Sequence, residues 1–355
     1  MIKVALVGCG RIAERHASIL GERQVAGICL GAVCDVIYEK ARRIGQKYDV
    51  PAYDDMHLMA QQQDIDMFAV LTPSGMHARH VLELVQYKKH IIVEKPMALT
   101  LQQADKMIHG CDQAGVRLFV VKQNRFNLPV QKLREAIEAG RFGKLVMGTV
   151  RVRWCRRQDY YDQDAWRGTW AYDGGVLANQ ASHHIDLLEW MMGDVRTIFA
   201  KATTALVNIE CEDTAVVVLT FQSGALGIIE ATTATRPKDI EGSISILGEK
   251  GMVEIGGFAV NEMRIWQFED PSEEDRAVLE KFSTNPPNVY GFGHTAYYGQ
   301  VVDCIRSGAP QLVDGLEGRR SLELITAIYE SIETGKEVSM RFVPLRCRLG
   351  LEAGL

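Results

Sequence analysis

The sequence predicts an α/β chain: a doubly wound parallel sheet first, then an α+β domain built on a largely antiparallel sheet. Two observations carry this. Over about the first 120 residues, short unbroken apolar runs alternate with helical patterns, as strands buried on both faces do with their crossover helices. After Asn124 the strands lengthen and partly alternate, the texture of a sheet whose two faces differ. With 355 residues the chain is long enough for two domains, each able to bury a core. We expect the boundary between them to fall near residue 122, dividing the chain into residues 1–121 and 122–355.

The elements follow in order. IKVALV (2–7) is a buried strand that runs straight into a glycine turn, and a helical pattern extends from Ile12 to Leu20. Ile28 to Cys34 is the second apolar run and ends at Asp35. YEKARRIGQKY is helical, and Val50-Pro51 breaks it. MFAVL (67–71) and IIVEK (91–95) are further buried strands, with the helix HARHVLELVQYKK between them. Thr100 and Gln103 have capping-box spacing, and Leu101, Ala104, Met107, Ile108 and Cys111 form one apolar stripe. RLFVV (117–121) closes the first set.

The second half predicts strands at 146–154, 214–222, 225–233 and 242–248, with Gln222-Ser223-Gly224 as a hairpin turn. Val150, Val152 and Trp154 share one face, available for burial. Helices are expected at 129–139, 177–192, 294–307 and 318–334, and a polar surface loop at 270–288.

Several functional classes drop out. The net charge is −5, so there is no basic balance for a nucleic acid. No stretch approaches the roughly 18 apolar residues of a membrane span. The N-terminal apolar run is short and ends at Gly-Cys-Gly, then Arg11, Glu14 and Arg15, which is a strand and a loop rather than a signal peptide. The eight cysteines are scattered, with no CxxC pair and no histidine cluster, so no metal is expected. Reduced thiols and a cytoplasmic location fit that pattern.

Gly8-Cys9-Gly10-Arg11-Ile12-Ala13 is G-x-G-x-x-A between a strand and a helix. The first glycine allows the tight turn, the second lets backbone approach a pyrophosphate, and Ala13 lets helix pack on strand. The helix N-terminus offers free N–H groups to phosphate. Asp35, after the second strand, suits the ribose hydroxyls and repels a 2′-phosphate, which favours NAD over NADP.

Lys95 ends a buried strand, at the edge where ligands bind in such sheets; it is either catalytic or an ion-pair partner of Glu94. Asn179 and His183 are four apart, hence on one face of the expected helix, and Asp186 lies three further on. A histidine beside those groups suits acid–base work. His184 points away and is expected to be structural.

GCGRIA, TPSGMHARHV, VEKPMALT, QNRFN and GGVLANQASHHIDLL stand in an order that resembles the Gfo/Idh/MocA family of NAD(P)-dependent oxidoreductases. The resemblance spans essentially the whole chain, including VDGLEGRRSLELITAIYES. It implies an N-terminal Rossmann domain and a C-terminal α+β domain with an open-faced antiparallel sheet. It also implies oxidation or reduction of a sugar carbon, and dimers or tetramers formed through that sheet. Carried over, Lys95 and His183 are the catalytic pair. NAD contacts fall on Gly8, Gly10, Arg11, Ile12, Asp35, Thr72, Ser74, His77, Glu94, Lys95, Gln123, Trp166 and Arg167. The family commonly has Asp where this chain has Asn179. That change removes a charge and suggests that Asn179 holds a substrate hydroxyl or amide.

A narrower resemblance is to the UDP-N-acetylglucosaminuronate 3-dehydrogenases of bacterial lipopolysaccharide sugar pathways, through the stretch from Arg157 to Trp170. It places substrate on Lys95, Arg157, Tyr160, Tyr161, Asn179, Ser182 and His183. Arg151, Arg153, Arg156 and Arg157 crowd one segment, and arginine forks suit a diphosphate and a carboxylate. The same arginines also suit an exposed strand edge. On this reading His183 takes the C3 hydroxyl proton, C3 passes a hydride to nicotinamide, and Lys95 stabilises the oxygen. A free polyol such as an inositol is the alternative substrate, and a non-catalytic NAD sensor the alternative class.

Overall fold

The computed structural model describes residues 1–284, 291–341, 344 and 346–351. In chain order the elements are β1 (Ile2–Val7), α1 (Arg11–Gly21), β2 (Ile28–Cys34), α2 (Tyr38–Tyr48), β3 (Ala52–Tyr53), α3 (Met56–Gln62), β4 (Met67–Val70), α4 (His77–Leu84), β5 (His90–Val93), α5 (Leu101–Ala114) and β6 (Leu118–Val120). Then come α6 (Leu128–Glu138), β7 (Leu145–Arg153), α7 (Gln158–Tyr161), α8 (Ser182–Met192), β8 (Val195–Thr203), β9 (Thr214–Phe221), β10 (Leu226–Thr232), β11 (Glu241–Gly248), β12 (Gly251–Gly256) and β13 (Glu262–Phe268). The chain ends with α9 (Val278–Lys281), α10 (Gly293–Ser307), α11 (Gly315–Thr334) and β14 (Val338–Ser339).

The first unit comprises Met1–Lys122 and His294–Arg320. Its sheet is all parallel, in the order β3-β2-β1-β4-β5-β6. β1, β4 and β5 are nearly wholly buried, as their unbroken apolar runs require. The single cut expected at 121/122 leaves out the return of α10 to this unit. Tyr297 and Tyr298 are buried here, the His16 ring meets the Tyr298 hydroxyl at 2.7 Å, and the Arg117 guanidinium donates to the Gly308 and Ala309 carbonyls.

The second unit comprises Gln123–Gly293 and Ser321–Leu355. Its sheet runs β13-β12-β11-β7-β10-β9-β8-β14 and is mixed rather than purely antiparallel: β7 and β10 pair in parallel. One face is apolar and covered. Val150 and Val152 of β7, Val217 and Leu219 of β9, Ile229 of β10 and Ile244 of β11 are fully buried. α8 packs there, so close that a Cβ on Gly148 would lie 2.7 Å from Leu188. The other face is open and carries Phe199, Val216 and Val218.

Three expectations shift. The helix expected over 177–192 starts only at Ser182; before it, Glu212 accepts the Val176 N–H with its carbonyl and the Leu177 N–H with its carboxylate. β8, β12 and β13 lie outside the strands read from the sequence. Part of the 270–288 segment is short helix (Glu273–Ala277 and α9), while 285–288 lies outside the described residues.

No described helix is long and apolar enough to cross a membrane, and all eight cysteines are free thiols. At α5 the capping box forms as its spacing predicts, with the Thr100 hydroxyl accepting the Gln103 N–H at 3.2 Å. Thr100→Ala is expected to cost about 1 kcal/mol, read as a lower denaturant midpoint at unchanged slope. An unmoved midpoint would leave the helix start to packing alone.

Candidate active site

The nucleotide end is built in the first unit. Gly8 leaves β1 with φ +98°, and its N–H reaches the Cys34 carbonyl at 2.8 Å. A Cβ there would lie 2.9 Å from the Leu71 carbonyl group, so the position demands glycine on both counts. Gly10 caps α1 without a side chain, and a Cβ on it would meet nothing within 4 Å. The approach to the helix N-terminus, at Arg11 and Ile12, is therefore open, as a pyrophosphate needs.

Asp35 ties this turn to the end of β2. One carboxylate oxygen accepts the Cys9 N–H and the other the Ile37 N–H, each at 2.8 Å. Each oxygen keeps a second lone pair, which a ribose hydroxyl can use. These residues fit a dinucleotide.

After β4, Thr72 hydrogen-bonds His80 at 2.9 Å and Ser74 is buried. The His77 ring is wholly buried, with Nδ1 2.8 Å from the Pro96 carbonyl oxygen and Nε2 2.8 Å from that of Thr72. Burial lowers its pKa, against the pull of those carbonyls. The Glu94 carboxylate also points inward. One oxygen faces His16 Nε2 at 3.1 Å and His294 Nε2 at 3.8 Å, and the other accepts the Lys95 N–H at 2.9 Å. Burial pushes Glu94 upward, but the two imidazoles outweigh it and hold it well below the usual carboxylate range. The structure thus turns the side chains of His77 and Glu94, expected among the cofactor contacts, into the interior. From Ile91 to Leu99 every residue is buried except Lys95, which is partly exposed.

The acid–base end is built in the second unit. His183 stands in the first turn of α8. The Gln123 amide nitrogen lies 3.0 Å from His183 Nε2. When the amide nitrogen donates at this contact, Nε2 is the unprotonated nitrogen and has the lone pair of a base; the tautomer follows the orientation of the Gln123 amide. The expected helical face shared by Asn179 and His183 does not form, since Asn179 precedes α8 and its amide donates to the Asp173 carboxylate. Asp186 gives both oxygens to the Arg125 guanidinium, at 2.8 and 2.9 Å, a buried pair rather than a relay. The Ser182 hydroxyl donates to the Asn179 carbonyl. His184 is structural: both ring nitrogens lack hydrogen-bond partners, and burial pushes its pKa down to about 4.

The arginine cluster divides. Strand alternation puts Arg151 and Arg153 on the sheet face opposite Val150 and Val152, and so opposite α8. Arg153 forks onto Glu230 at 2.6 and 2.8 Å, and Arg151 lies 3.5 Å from Glu241. Arg156 pairs with Asp239 at 2.9 Å. Only Arg157 is exposed with no ionic partner among the described residues. Thus three of the four expected anion binders already have carboxylates. Tyr161 is buried on Thr233, so of the two tyrosines only Tyr160 is partly exposed. Arg167 donates to the Tyr160 hydroxyl at 2.9 Å and lies over the Tyr160 and Trp166 rings.

Residues 2–122 match the family model "Oxidoreductase family, NAD-binding Rossmann fold", and residues 134–340 match the C-terminal alpha/beta domain of the same family. The chain belongs to the Gfo/Idh/MocA oxidoreductases. It is similar to the WlbA dehydrogenase from Bordetella pertussis, whose structure holds NADH and UDP-GlcNAcA: 40% identity, 96% of this chain and 99% of that one, TM-score 0.88. It is similar likewise to the WlbA dehydrogenase from Chromobacterium violaceum, with the same two ligands: 41% identity, 97% and 96% coverage, TM-score 0.89. Myo-inositol 2-dehydrogenase from Thermotoga maritima is 29% identical over 353 residues, covering 96% of this chain and 99% of the relative. The chain is an NAD-dependent oxidoreductase of a sugar dehydrogenase family.

Sequence reasoning missed Glu212, which no motif marks. It sits under the Asp173-to-Asn179 loop, accepting the Leu177 N–H at 2.9 Å and the Tyr329 hydroxyl at 3.0 Å, with its other oxygen buried and unpartnered. Burial raises its pKa from 4.5 to about 7. A raised folded-state pKa means this group's contribution is full below pH 4.5, declines as pH rises, and levels off above about 7. Glu212→Gln, neutral throughout, is expected to remove that slope from denaturant midpoints measured between about pH 5 and about pH 8. A slope unchanged by the substitution would place the ionisation elsewhere.

Proposed function

We propose that this enzyme oxidises the C3 hydroxyl of UDP-N-acetylglucosaminuronic acid. The observation that carries this is identity of about 40% over nearly the whole chain to two dehydrogenases whose structures hold NADH and UDP-GlcNAcA. Arg157, the arginine of that cluster with no carboxylate partner among the described residues, and Tyr160 nearby in sequence suit the anionic substrate. The 29% identity to an inositol dehydrogenase favours a free polyol as the second reading.

Oxidising an alcohol removes a proton from oxygen and a hydride from carbon. His183 Nε2 takes the proton, exchanging its Gln123 hydrogen bond for the substrate hydroxyl. Lys95 donates to the same oxygen and stabilises its growing negative charge. NAD, when bound, supplies the hydride acceptor. The cofactor contacts are Gly8, Gly10, Arg11, Ile12 and Asp35, with Thr72, Ser74, Gln123, Trp166 and Arg167. Asn179 and Ser182 border the sugar. The open sheet face with Phe199, Val216 and Val218 is the surface for a second copy of the chain, giving a dimer or tetramer. A cytoplasmic setting in surface-polysaccharide sugar synthesis belongs to the same reading.

The test is NADH absorbance with UDP-N-acetylglucosaminuronic acid, UDP-N-acetylglucosamine, myo-inositol and glucose in parallel, repeated with 2-oxoglutarate present to recycle NADH and the products then read by mass. Oxidation of the UDP-uronate alone is expected; turnover of a neutral polyol instead would move the substrate to the second reading. His183→Asn and Lys95→Ala should each keep NAD affinity and lose about 100-fold or more in kcat. Near-normal turnover would remove that residue from the mechanism. Arg157→Ala should raise KM for the UDP-uronate about tenfold and leave KM for NAD unchanged.

A further inference from the structure

The parallel ladder ends just before Lys95. The Glu94 N–H still bonds the Val70 carbonyl, and the Val121 N–H still bonds that of Val93. Two residues on, Pro96 has no N–H. Two buried side chains take over. The Glu94 carboxylate accepts the Lys95 N–H at 2.9 Å, and the His77 ring meets the Pro96 carbonyl at 2.8 Å. Glu94 is anchored at its far side on His16, and His16 on the Tyr298 hydroxyl; the second His77 nitrogen faces the Thr72 carbonyl, and a neutral imidazole donates to one of these two carbonyls at a time. His294 lies beside the same Glu94 oxygen.

We propose that Glu94 and His77 are positioning residues that clamp the backbone on either side of Lys95, with His16, His294 and Tyr298 holding Glu94 in turn. This rests on Lys95 acting at the reacting oxygen. A lysine carries its ammonium on four flexible methylenes, so the position of the backbone it starts from sets what the ammonium can reach. Every other residue from Ile91 to Leu99 is buried, and Lys95 is partly exposed. Glu94 bonds neither the glycine turn nor Asp35, so its loss is expected to spare dinucleotide binding, whereas His77 also faces the Thr72 carbonyl. A misplacement of about 1 Å at a reacting group costs on the order of 100-fold in rate.

The test compares wild type, Glu94→Ala, Glu94→Gln, His77→Ala and Lys95→Ala. For each, kcat and KM are measured with UDP-N-acetylglucosaminuronic acid, the NAD dissociation constant by fluorescence titration, and the melting temperature. The kinetic isotope effect with substrate deuterated at C3 is measured alongside. Glu94→Ala is expected to lower kcat about 100-fold, with KM and NAD affinity within about threefold and a larger isotope effect as hydride transfer becomes rate-limiting. Glu94→Gln keeps an acceptor for the Lys95 N–H and should recover most of that loss. Should Glu94→Ala fail to fold, His77→Ala is read by the same kcat-against-KM criterion.

A kcat within about twofold of wild type in Glu94→Ala or His77→Ala, while Lys95→Ala is dead, would overturn the clamp alone. An active Lys95→Ala would overturn the reading it rests on. His16, Glu94 and His294 offer ligand atoms within 4.8 Å of one another. One equivalent of tightly held divalent metal in the purified protein would therefore also overturn the hydrogen-bonded clamp.

Discussion

Where a parallel strand ends, its last N–H and C=O groups lose the neighbour that paired them, and buried groups of this kind must find new partners. In the first unit that requirement falls at the ends of β1, β2, β4 and β5, and each end meets it differently. The Gly8 N–H reaches the Cys34 carbonyl, the Asp35 carboxylate takes the Cys9 N–H, and Glu94 and His77 take the groups around Lys95. The residues that complete the sheet edge are the same residues the sequence marks as functional. A polar side chain there satisfies backbone first, and only its remaining lone pairs are left for a ligand.

The second unit is governed by a different constraint, a sheet covered on one side. The period of two in β7 sends Val150 and Val152 under α8 and sends Arg151 and Arg153 to the open face. On that face the arginines lie opposite Glu230 and Glu241, which neutralise them. Under α8, Arg125 and Asp186 form a buried bidentate pair, with the guanidinium also over the Trp190 ring. Removing one partner of such a pair leaves an uncompensated buried charge, at a cost of about 3–5 kcal/mol. The QNRFN segment and α8 are thus pinned together, and Gln123, two residues before Arg125, is held against His183.

Much of this was legible in the chain. The alternation of apolar runs and helices predicted the parallel sheet, and the glycine turn with Asp35 predicted a dinucleotide site. Both depend on residues close in sequence. The start of α8 was misread: residues 177–181 precede the helix, and the amides of Val176 and Leu177 are held by Glu212, some 35 residues downstream. β8, β12 and β13 were passed over because half-exposed strands with mixed faces give only a weak apolar signal. The crowding of arginines was visible; their partners, 80 or so residues away in Glu230, Asp239 and Glu241, were not.

The sequence by itself determined the fold class, the cofactor turn and the identity of Lys95 and His183 as the groups to examine, because periodicity, turn chemistry and motif order are local properties. Tertiary structure decided which polar groups remain available. It sent Glu94 and His77 to the backbone around Lys95, Asp186 to Arg125 and Asn179 to Asp173, and it left Arg157 without a carboxylate among the described residues. The physical reason is that a buried polar group binds whichever complementary group the fold brings within about 3 Å, and that choice is made by strand register and helix packing across long stretches of chain.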